Sequence, residues 1–592
     1  MAGIGRERGC STFQQVMIFD VISKAVVGVL LLIMVVPLSS QPEGNVPLSS
    51  GLAQAINRAR PGDEFKVWVF FTGKDPGIRR VRLSPKCLQR RRLRGRKPLI
   101  DLTDLPISKE YIHQVLSRGA KQRAKSKWLN AISVEADVRE IQKISALPFV
   151  RKLDQVIGFR RREIEAKEEG PAKVKGEEYE IDYGHSYPQL SLLNIPQLHR
   201  LGYDGSGVLV CLLDTGFWLA HECFDSLKVV ATRDFIFKDD DVQDGPEDQP
   251  GQHDHGTSTL SVISGFKEGE LIGPAFGASY ALAKTEDIRA ETPIEEDYWI
   301  AGLEWADSLG ADVVSSSLGY TCFDDGTGYT YEDLDGNTAR TTVAADLAVA
   351  KGMVVVTAAG NKLDEPKPWH YIVTPADGDS VLAVGAVDME GNLASFSSVG
   401  PTADGRIKPD LMAPGVGVWS ADARSSYRYK DGTSFSTPLI AGAVALLLQV
   451  DSTLTPMEVR DRLCSAGSQA FSPDNLMGWG VPDLLKASDL ITLHNRLWCY
   501  PNPFRDVVNI AYCLSEYSSV RIQIFTVSGE LVREMDLGPK RMGDYSSPMM
   551  AAHWRGENQS GKKVAPGIYL CRLTSKGPSQ VIKIAYLGPS NP

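Results

Sequence analysis

The chain has 592 residues, enough for about two to four domains at about 150 residues each. With 43% apolar and 23% charged residues, and with 54 Gly and 34 Pro marking many turns, it is ordinary globular protein without collagen-like or disordered bias. A net charge of −9 argues against a general nucleic-acid binder.

Residues 1–41 contain an apolar run, Ala25 to Val36 (AVVGVLLLIMVV), that is short for a membrane span and is followed by Pro37, Leu38, Ser39 and Ser40. This is the layout of a secretory signal with a long n-region. The alternative, an uncleaved anchor reaching back to Val16, would place Asp20 and Lys24 inside the bilayer, which is costly. The segment is therefore read as a signal peptide or membrane anchor, and the protein as secreted or on the cell surface. The nine cysteines show no CxxC or CxxH spacing, so no zinc site announces itself. Cys10 would leave with the signal, Cys211 lies in an apolar run and is expected to be a buried thiol, and pairing among the others is not legible.

Residues 55–162 read as a small α+β unit. Phe65 to Phe71 (FKVWVFF) and Trp128 to Ala136 predict strands, Tyr111 to Gly119 a short helix, and Val138 to Leu147 a helix with apolar residues at helical spacing before a last strand near Val150. Within it, Arg90 to Lys97 (RRRLRGRK) is most simply a solvated loop, or alternatively a protease-sensitive site. Residues 163–182 belong to a polar, charged stretch that reads as an exposed linker.

From 183 to 488 strands and helices alternate. Val208 to Leu213, Asp312 to Ser317, Met353 to Ala358 and Val381 to Val387 are apolar runs without period-two alternation, as expected of strands covered on both faces. Tyr298 to Gly310 and Thr341 to Gly352 predict helices between them, and Thr455-Pro456-Met457-Glu458 is a capping box with Pro at the first helical position. This rhythm implies an α/β fold with a parallel, doubly wound sheet. The acidic run of Asp239, Asp240, Asp241, Asp244, Glu247 and Asp248 is read as a solvated loop. Residues 497–590 change character: short strands separated by polar turns, with no helical stretch, predict a β-sandwich. Gly556 to Lys562 satisfies GxxxxGK, but Lys563 replaces the magnesium-binding hydroxyl, so a hairpin turn is the reading.

Several polar residues fall where an open parallel sheet gathers functional groups, beyond the carboxyl ends of strands. Asp214 stands in LLDTG, Asn361 in AAGN, His255 in HDHGTS, and Ser434 in DGTSFSTP ahead of an apolar helix. Each has a plainer reading: Asp214 closing a turn, Ser434 capping a helix, and His253 with His255 forming a weak metal pair without a third ligand. Taken together they supply what acyl transfer needs, namely a hydroxyl nucleophile, an imidazole base, a carboxylate to orient it and a donor for the oxyanion.

In that order, LLDTG, HGTS, SSSLG, AAGN and GTSFSTP resemble the sequence boxes of the subtilisin-like serine proteases, over about Tyr183 to Ser488. The resemblance implies that Asp214 orients the base, His255 moves the proton, Ser434 attacks and Asn361 donates to the oxyanion. It also implies that Ser317, Leu318 and Gly319 pair with an extended substrate, and that Ala358, Ala359 and Gly360 wall the pocket beside the scissile bond. Two boxes depart from the family pattern: Ser258 replaces a second His, and Phe435-Ser436 replace Met-Ala after the serine, so the shape of the cleft is left open. The implied fold is a subtilisin-like α/β domain with a small α+β prodomain and a C-terminal β-sandwich. The prosegment similarity implies an intramolecular inhibitor. YPNPF and the strands after it look like modules at the ends of bacterial secreted proteins, which implies a link to bacterial secretion machinery. The implied activity is a self-processing serine endopeptidase acting on polypeptides, with no cofactor required for chemistry. Structural calcium is left open: DLDGN (Asp333 to Asn337) mimics a calcium loop, but a local turn is the simpler reading. The rival readings are a non-catalytic surface-binding protein that keeps the fold, and a metal-dependent hydrolase using His253 and His255.

Overall fold

The computed structural model describes residues 48–74, 81, 83–156, 181–289, 294–321, 328–364, 370–490, 497–514, 518–540, 543–545, 551–576 and 579–589. The apolar N-terminal segment, nearly all of the linker, and Cys322 lie outside them.

The N-terminal unit is a four-stranded antiparallel sheet in the order β2-β3-β1-β4, built from β1 (Glu64–Phe71), β2 (Lys121–Ser126), β3 (Ala131–Asp137) and β4 (Val150–Gln155). Helices α2 (Lys109–Leu116) and α3 (Val138–Ser145) complete the β-α-β-β-α-β pattern of a split βαβ fold. Asp137 ends β3 and starts α3 through a capping box with Glu140, which explains the abrupt change from strand to helix. Pairing begins ahead of residue 55, with a bridge between Leu48 and Leu153. The basic run is not a solvated loop. It belongs to an additional helix, α1 (Pro85–Leu93), and its continuation, with Arg90, Arg91 and Arg94 buried. Charge composition could not reveal this, because each of these three guanidiniums is matched by a carboxylate or carbonyl far away in sequence.

The central domain holds a seven-stranded parallel sheet in the order β13-β12-β11-β10-β5-β9-β6. Its strands are β5 (Leu209–Asp214), β6 (Lys228–Asp234), β9 (Ser279–Lys284), β10 (Val313–Ser316), β11 (Val354–Ala358), β12 (Leu382–Val387) and β13 (Leu411–Pro414); a two-residue hairpin of β7 (Phe266–Lys267) and β8 (Leu271–Ile272) lies outside it. The four apolar runs read from the sequence are the four neighbouring strands β5, β10, β11 and β12, buried throughout as sheet strands covered on both faces must be. From β5 the chain first builds to one side, through β6 and β9, and then to the other, from β10 to β13. The β5/β10 boundary is thus the switch in strand order, where a crevice opens beyond the carboxyl ends.

Helices α4 (Asp254–Ser264) and α7 (Thr433–Val450) pack against each other in one core cluster, while α5 (Ile294–Leu309) and α6 (Arg340–Ala350) share a second cluster with Trp68 and Trp128 of the N-terminal unit. α7 is apolar and buried nearly all round, as befits a central helix. Helix α8 (Pro456–Ser465) has the expected capping box and first-turn Pro. Strands β14 (Val418–Asp422) and β15 (Ser426–Lys430) form a hairpin just before α7.

The last unit is a pair of antiparallel sheets enclosing Phe504, Trp554, Tyr569 and Tyr586. The GxxxxGK stretch is a turn closed by Asn558, whose side chain accepts from the Ser560 and Lys562 amides. Of the acidic run, Asp239, Asp240 and Asp241 are exposed, but Asp248 holds the buried Lys284 ammonium at 2.8 Å. Cys211 is a buried thiol, and Cys87, Cys223, Cys464, Cys499 and Cys571 are free thiols.

Close packing of α7 supplies a test. A Cβ on Gly442 would lie 2.2 Å from Cγ of Pro274, in the loop before β9. Gly442→Ala is expected to lower the stability of the central domain by about 1–3 kcal/mol, read as a lower midpoint in thermal unfolding.

Candidate active site

Asp214 is the last residue of β5 and is buried at 1% exposure. Its Oδ1 accepts from the Thr215 amide at 2.8 Å and lies 2.6 Å from Nδ1 of His255; its Oδ2 accepts from Thr259 Oγ1 at 2.9 Å. A buried carboxylate needs such donors, because desolvation without them would favour the neutral acid. Thr259 sits one turn beyond His255 on α4, so a single helix delivers both the imidazole and a second donor to the same carboxylate. The helix can come this close because Gly256 has no side chain: a Cβ there would lie 2.0 Å from the Gly216 carbonyl oxygen.

Neighbouring groups fix the rest of α4. The His253 amide donates to Asp244 Oδ1 at 2.8 Å and its Nδ1 accepts from the Asp244 amide at 2.9 Å, so His253 secures the loop of the acidic run. Asp254 is pushed above the usual carboxylate range, chiefly by burial. Ser258, where the family pattern has His, donates to the Ala421 carbonyl at 2.9 Å and ties α4 to β14. His199, by contrast, is a core residue, lowered to about 4 by burial and hence neutral.

Ser434 lies in the first turn of α7 and is only partly buried, whereas Thr433 and Phe435 on either side are buried. It does not cap the helix: the N-cap is Gly432, with φ 141°, and no side-chain cap bond forms. Pro438 has no N–H to give to the carbonyl four residues earlier, which is that of Ser434. That carbonyl instead accepts from Ser317 Oγ at 2.7 Å, and Ser434 Oγ donates to the Ser317 carbonyl at 3.3 Å. The ring of Phe435 stands 6.1 Å from the His255 imidazole, centroid to centroid, with Lys430 Nζ 6.0 Å from the Phe435 centroid. The start of α7 and the start of α4 therefore meet at one place.

Asn361 follows β11. Its Oδ1 accepts from the Thr433 amide and from Thr433 Oγ1, both at 2.9 Å, which turns Nδ2 toward Gly432: a Cβ on that glycine would lie 3.5 Å from Nδ2. Ser317 and Leu318 follow β10, are buried, and lead to the half-buried Gly319. The main-chain groups of Leu318 and Gly319 have no protein hydrogen-bond partner among the described residues. Ala358 and Ala359 are buried, with the Ala359 amide donating to the Val384 carbonyl at 2.9 Å and the Gly360 amide to Thr433 Oγ1 at 3.3 Å. All ten residues singled out in the sequence thus stand at or just past the carboxyl ends of β5, β10 and β11 or at the starts of α4 and α7. Thr259, Thr433 and Pro438 were not singled out. Each shares a motif with a chosen residue, and Pro438, four residues after Ser434 in a helix, was the readable signal.

Among the described residues no group of three or more His, Cys, Asp or Glu is placed to hold a metal ion. The DLDGN stretch forms a local turn, in which Asp335 Oδ1 accepts from the Asn337 and Thr338 amides and Oδ2 from the Thr338 hydroxyl.

Comparison with known proteins agrees with this fold. Residues 205–480 match the model of the subtilase family, 66–173 the Peptidase S8 propeptide domain of Bacteroidota, and 506–579 the FlgD Ig-like domain. Subtilisin NAT of Bacillus subtilis subsp. natto is 32% identical over 358 residues, which cover 60% of this chain and 80% of the relative. Subtilisin of Bacillus pumilus is 35% identical over 282 residues, 47% of this chain and 90% of the relative. The crystal structure of fervidolysin from Fervidobacterium pennivorans, a keratinolytic enzyme related to subtilisin, shares the fold with a TM-score of 0.52 at 18% identity, covering 92% of this chain and 80% of that one. The chain belongs to the subtilase family of serine endopeptidases and carries a propeptide domain before its catalytic domain and an Ig-like domain after it.

Proposed function

We propose that Ser434, His255 and Asp214 form the catalytic triad of this peptidase and that the precursor cuts itself in the segment between Arg160 and Tyr183. The observation that carries the reading is the 2.6 Å contact of Asp214 with Nδ1 of His255 on a helix that meets the start of α7. Held on Asp214, the imidazole is fixed in the tautomer whose Nε2 accepts a proton. The Ser434 hydroxyl, on a long bond to the Ser317 carbonyl, swings by side-chain rotation to His255 as substrate enters. Its oxygen bonds to the peptide carbonyl carbon while the proton passes to His255, giving a tetrahedral oxyanion. Nδ2 of Asn361 and the first-turn N–H of Ser434, at the positive end of α7, donate to that oxygen. The C–N bond then breaks, with His255 returning the proton to the leaving amine, and water repeats the sequence on the acyl-enzyme. Side chains and backbone supply every step, so no cofactor is needed.

The unpaired main chain at Leu318 and Gly319 supports the pairing of an extended polypeptide with this edge, and Ala358, Ala359 and Gly360 support the adjacent pocket wall. The propeptide domain supports a latent precursor inhibited by its own prosegment. Residues 1–41 are assigned to export, and the Ig-like domain to recognition by bacterial secretion machinery. The domain limits 55–162, 183–488 and 497–590 complete this reading.

Three outcomes test it. Wild-type precursor, purified alone, is expected to be processed and to be labelled by a fluorophosphonate at Ser434, whereas Ser434→Ala stays intact and unlabelled. Equal processing of both proteins refutes self-cleavage, and an unlabelled Ser434 in the wild type favours the surface-binding rival. Asn361→Ala is expected to lower kcat by about 10²–10³, the scale set by removing such a donor in subtilisin itself, with KM little changed. Thr259→Val keeps the shape but removes a donor from buried Asp214; kcat is expected to fall about tenfold, in line with losing a hydrogen bond to a charged group.

A further inference from the structure

Between β1 and α2 the propeptide domain sends out an arm, Ser84 to Asp104, that is not part of its βαββαβ sheet unit. The arm begins on the end of α5: the Ser84 amide donates to the Ser308 carbonyl at 3.0 Å and Ser84 Oγ to the Leu309 carbonyl at 2.7 Å. Its backbone then passes so near the next turn that a Cβ on Gly310 would lie 2.5 Å from the Cys87 amide nitrogen. From α1, Arg90 reaches Asp307 and the Ala311 carbonyl, and Arg91 bridges Asp307 at 2.7 Å to the arm's own Asp104 at 2.8 Å. Arg94 binds Asp312 at 3.2 Å and the Gly352 carbonyl, Arg96 donates to the Ala350 carbonyl, and Lys86 meets Asp312 at 3.0 Å. In return, Lys351 of the catalytic domain holds Asp104 at 2.8 Å.

These acceptors share a physical character. Ala311, Ala350 and Gly352 lie at or just past the C-termini of α5 and α6, where helical carbonyls lack intrahelical donors and the helix end is negative. They also share a place. Asp312 precedes β10 and Gly352 precedes β11, so the arm grips the amino ends of the strands, whereas Asp214, Ser317 and Asn361 stand at the carboxyl ends. The arm cannot block the cleft from there.

We propose that the Ser84–Asp104 arm is a second, cleft-independent anchor, and that the face made by Asp307, Asp312 and the carbonyls of Ala311, Ala350 and Gly352 is a docking site for this arginine-bearing helix. Its consequence rests on the protease reading: once the linker is cut, release of the propeptide domain is limited by the arm's contacts at the amino ends of the strands as well as by those at the cleft.

The test uses full-length Ser434→Ala protein with the recognition sequence of an unrelated protease placed in the 163–182 linker, so catalysis by the chain itself plays no part. After the cut, gel filtration and surface plasmon resonance follow separation of the two pieces. With the wild-type arm the pieces are expected to co-elute. With Arg90→Met plus Arg94→Met, or with Asp312→Asn on the opposite side, dissociation is expected to quicken by about 10²-fold, the scale for truncating one partner of a buried charge pair. Arg123→Ala, which loses a 3.5 Å contact with Asp297 under the sheet, serves as the comparison and is expected to have a smaller effect. Thermal unfolding of the uncut proteins checks folding, and Asp312→Asn with Lys86→Ala at the half-exposed pair stands in if the double arginine variant does not fold. Immediate separation with the wild-type arm, or arm variants that hold on as long as wild type, would overturn the proposal. Failure of the triad reading would show in the labelling of Ser434 and leave this result untouched.

Discussion

The switch in strand order at the β5/β10 boundary constrains the rest of the molecule. Because strands are added first on one side of β5 and then on the other, β5 and β10 become parallel neighbours only after some hundred residues of intervening chain have been placed. Their pairing, with Leu213 opposite Ser316, sets Asp214 and Ser317 side by side at the same edge. Asp214 then receives α4, and Ser317 receives α7. A slip of register between these two strands would separate the two helix starts that the proposed chemistry needs in contact.

That contact is reinforced by an unusual exchange at α7. An interior proline ordinarily costs a helix a hydrogen bond and about 3 kcal/mol. Here the carbonyl that Pro438 leaves open is taken by Ser317, so a helical defect becomes a cross-link between α7 and the strand edge. The same pairing holds the Ser434 side chain against the Ser317 carbonyl, and Asn361 fixes the Thr433 amide one residue earlier. Two successive residues of the first turn are thus held from outside the helix, while the apolar remainder is locked in the core. The proposed nucleophile stands on a rigid element, which limits the rearrangement needed at the moment of attack.

Much of this was legible in the sequence because the relevant signals are local. Apolar runs without alternation gave the four central strands, and Gly, Ser, Thr and Pro around Asp214, His255 and Ser434 marked tight turns and helix starts. Strand β2 (KQRAKS) escaped because its polar residues find partners only in the assembled molecule, Arg123 opposite Asp297 and Ser126 against Glu304. The basic run was misread for the same reason. A stretch of arginines looks solvated when scored alone, and nothing nearby in sequence announces Asp307, Asp312 or the ends of α5 and α6. Thr259 was overlooked because a threonine in a helix is ordinary until the buried carboxylate it serves has been located.

Thr259 apart, these omissions share one physical pattern: they are contacts between the propeptide and catalytic domains, and they are rich in charge. Burying Glu304 and Asp297 under the sheet is costly, and both are pushed above the usual carboxylate range chiefly by that burial. An apolar face of the same area would bind at least as well, since a buried ion pair often does no better than a well-packed hydrophobic one. A domain that leaves, as the proposed processing requires, has a different requirement. Carboxylates and guanidiniums regain water when the partner departs, whereas an exposed apolar face would invite aggregation. The Trp68 and Trp128 cluster supplies adhesion, and the charged rim and arm confine it to one docking geometry, because a guanidinium displaced from its carboxylate inside such an interface pays the full penalty of desolvation. Charge at this boundary therefore specifies how the two domains meet and, under the proposed processing, would keep the uncovered surface soluble when they part.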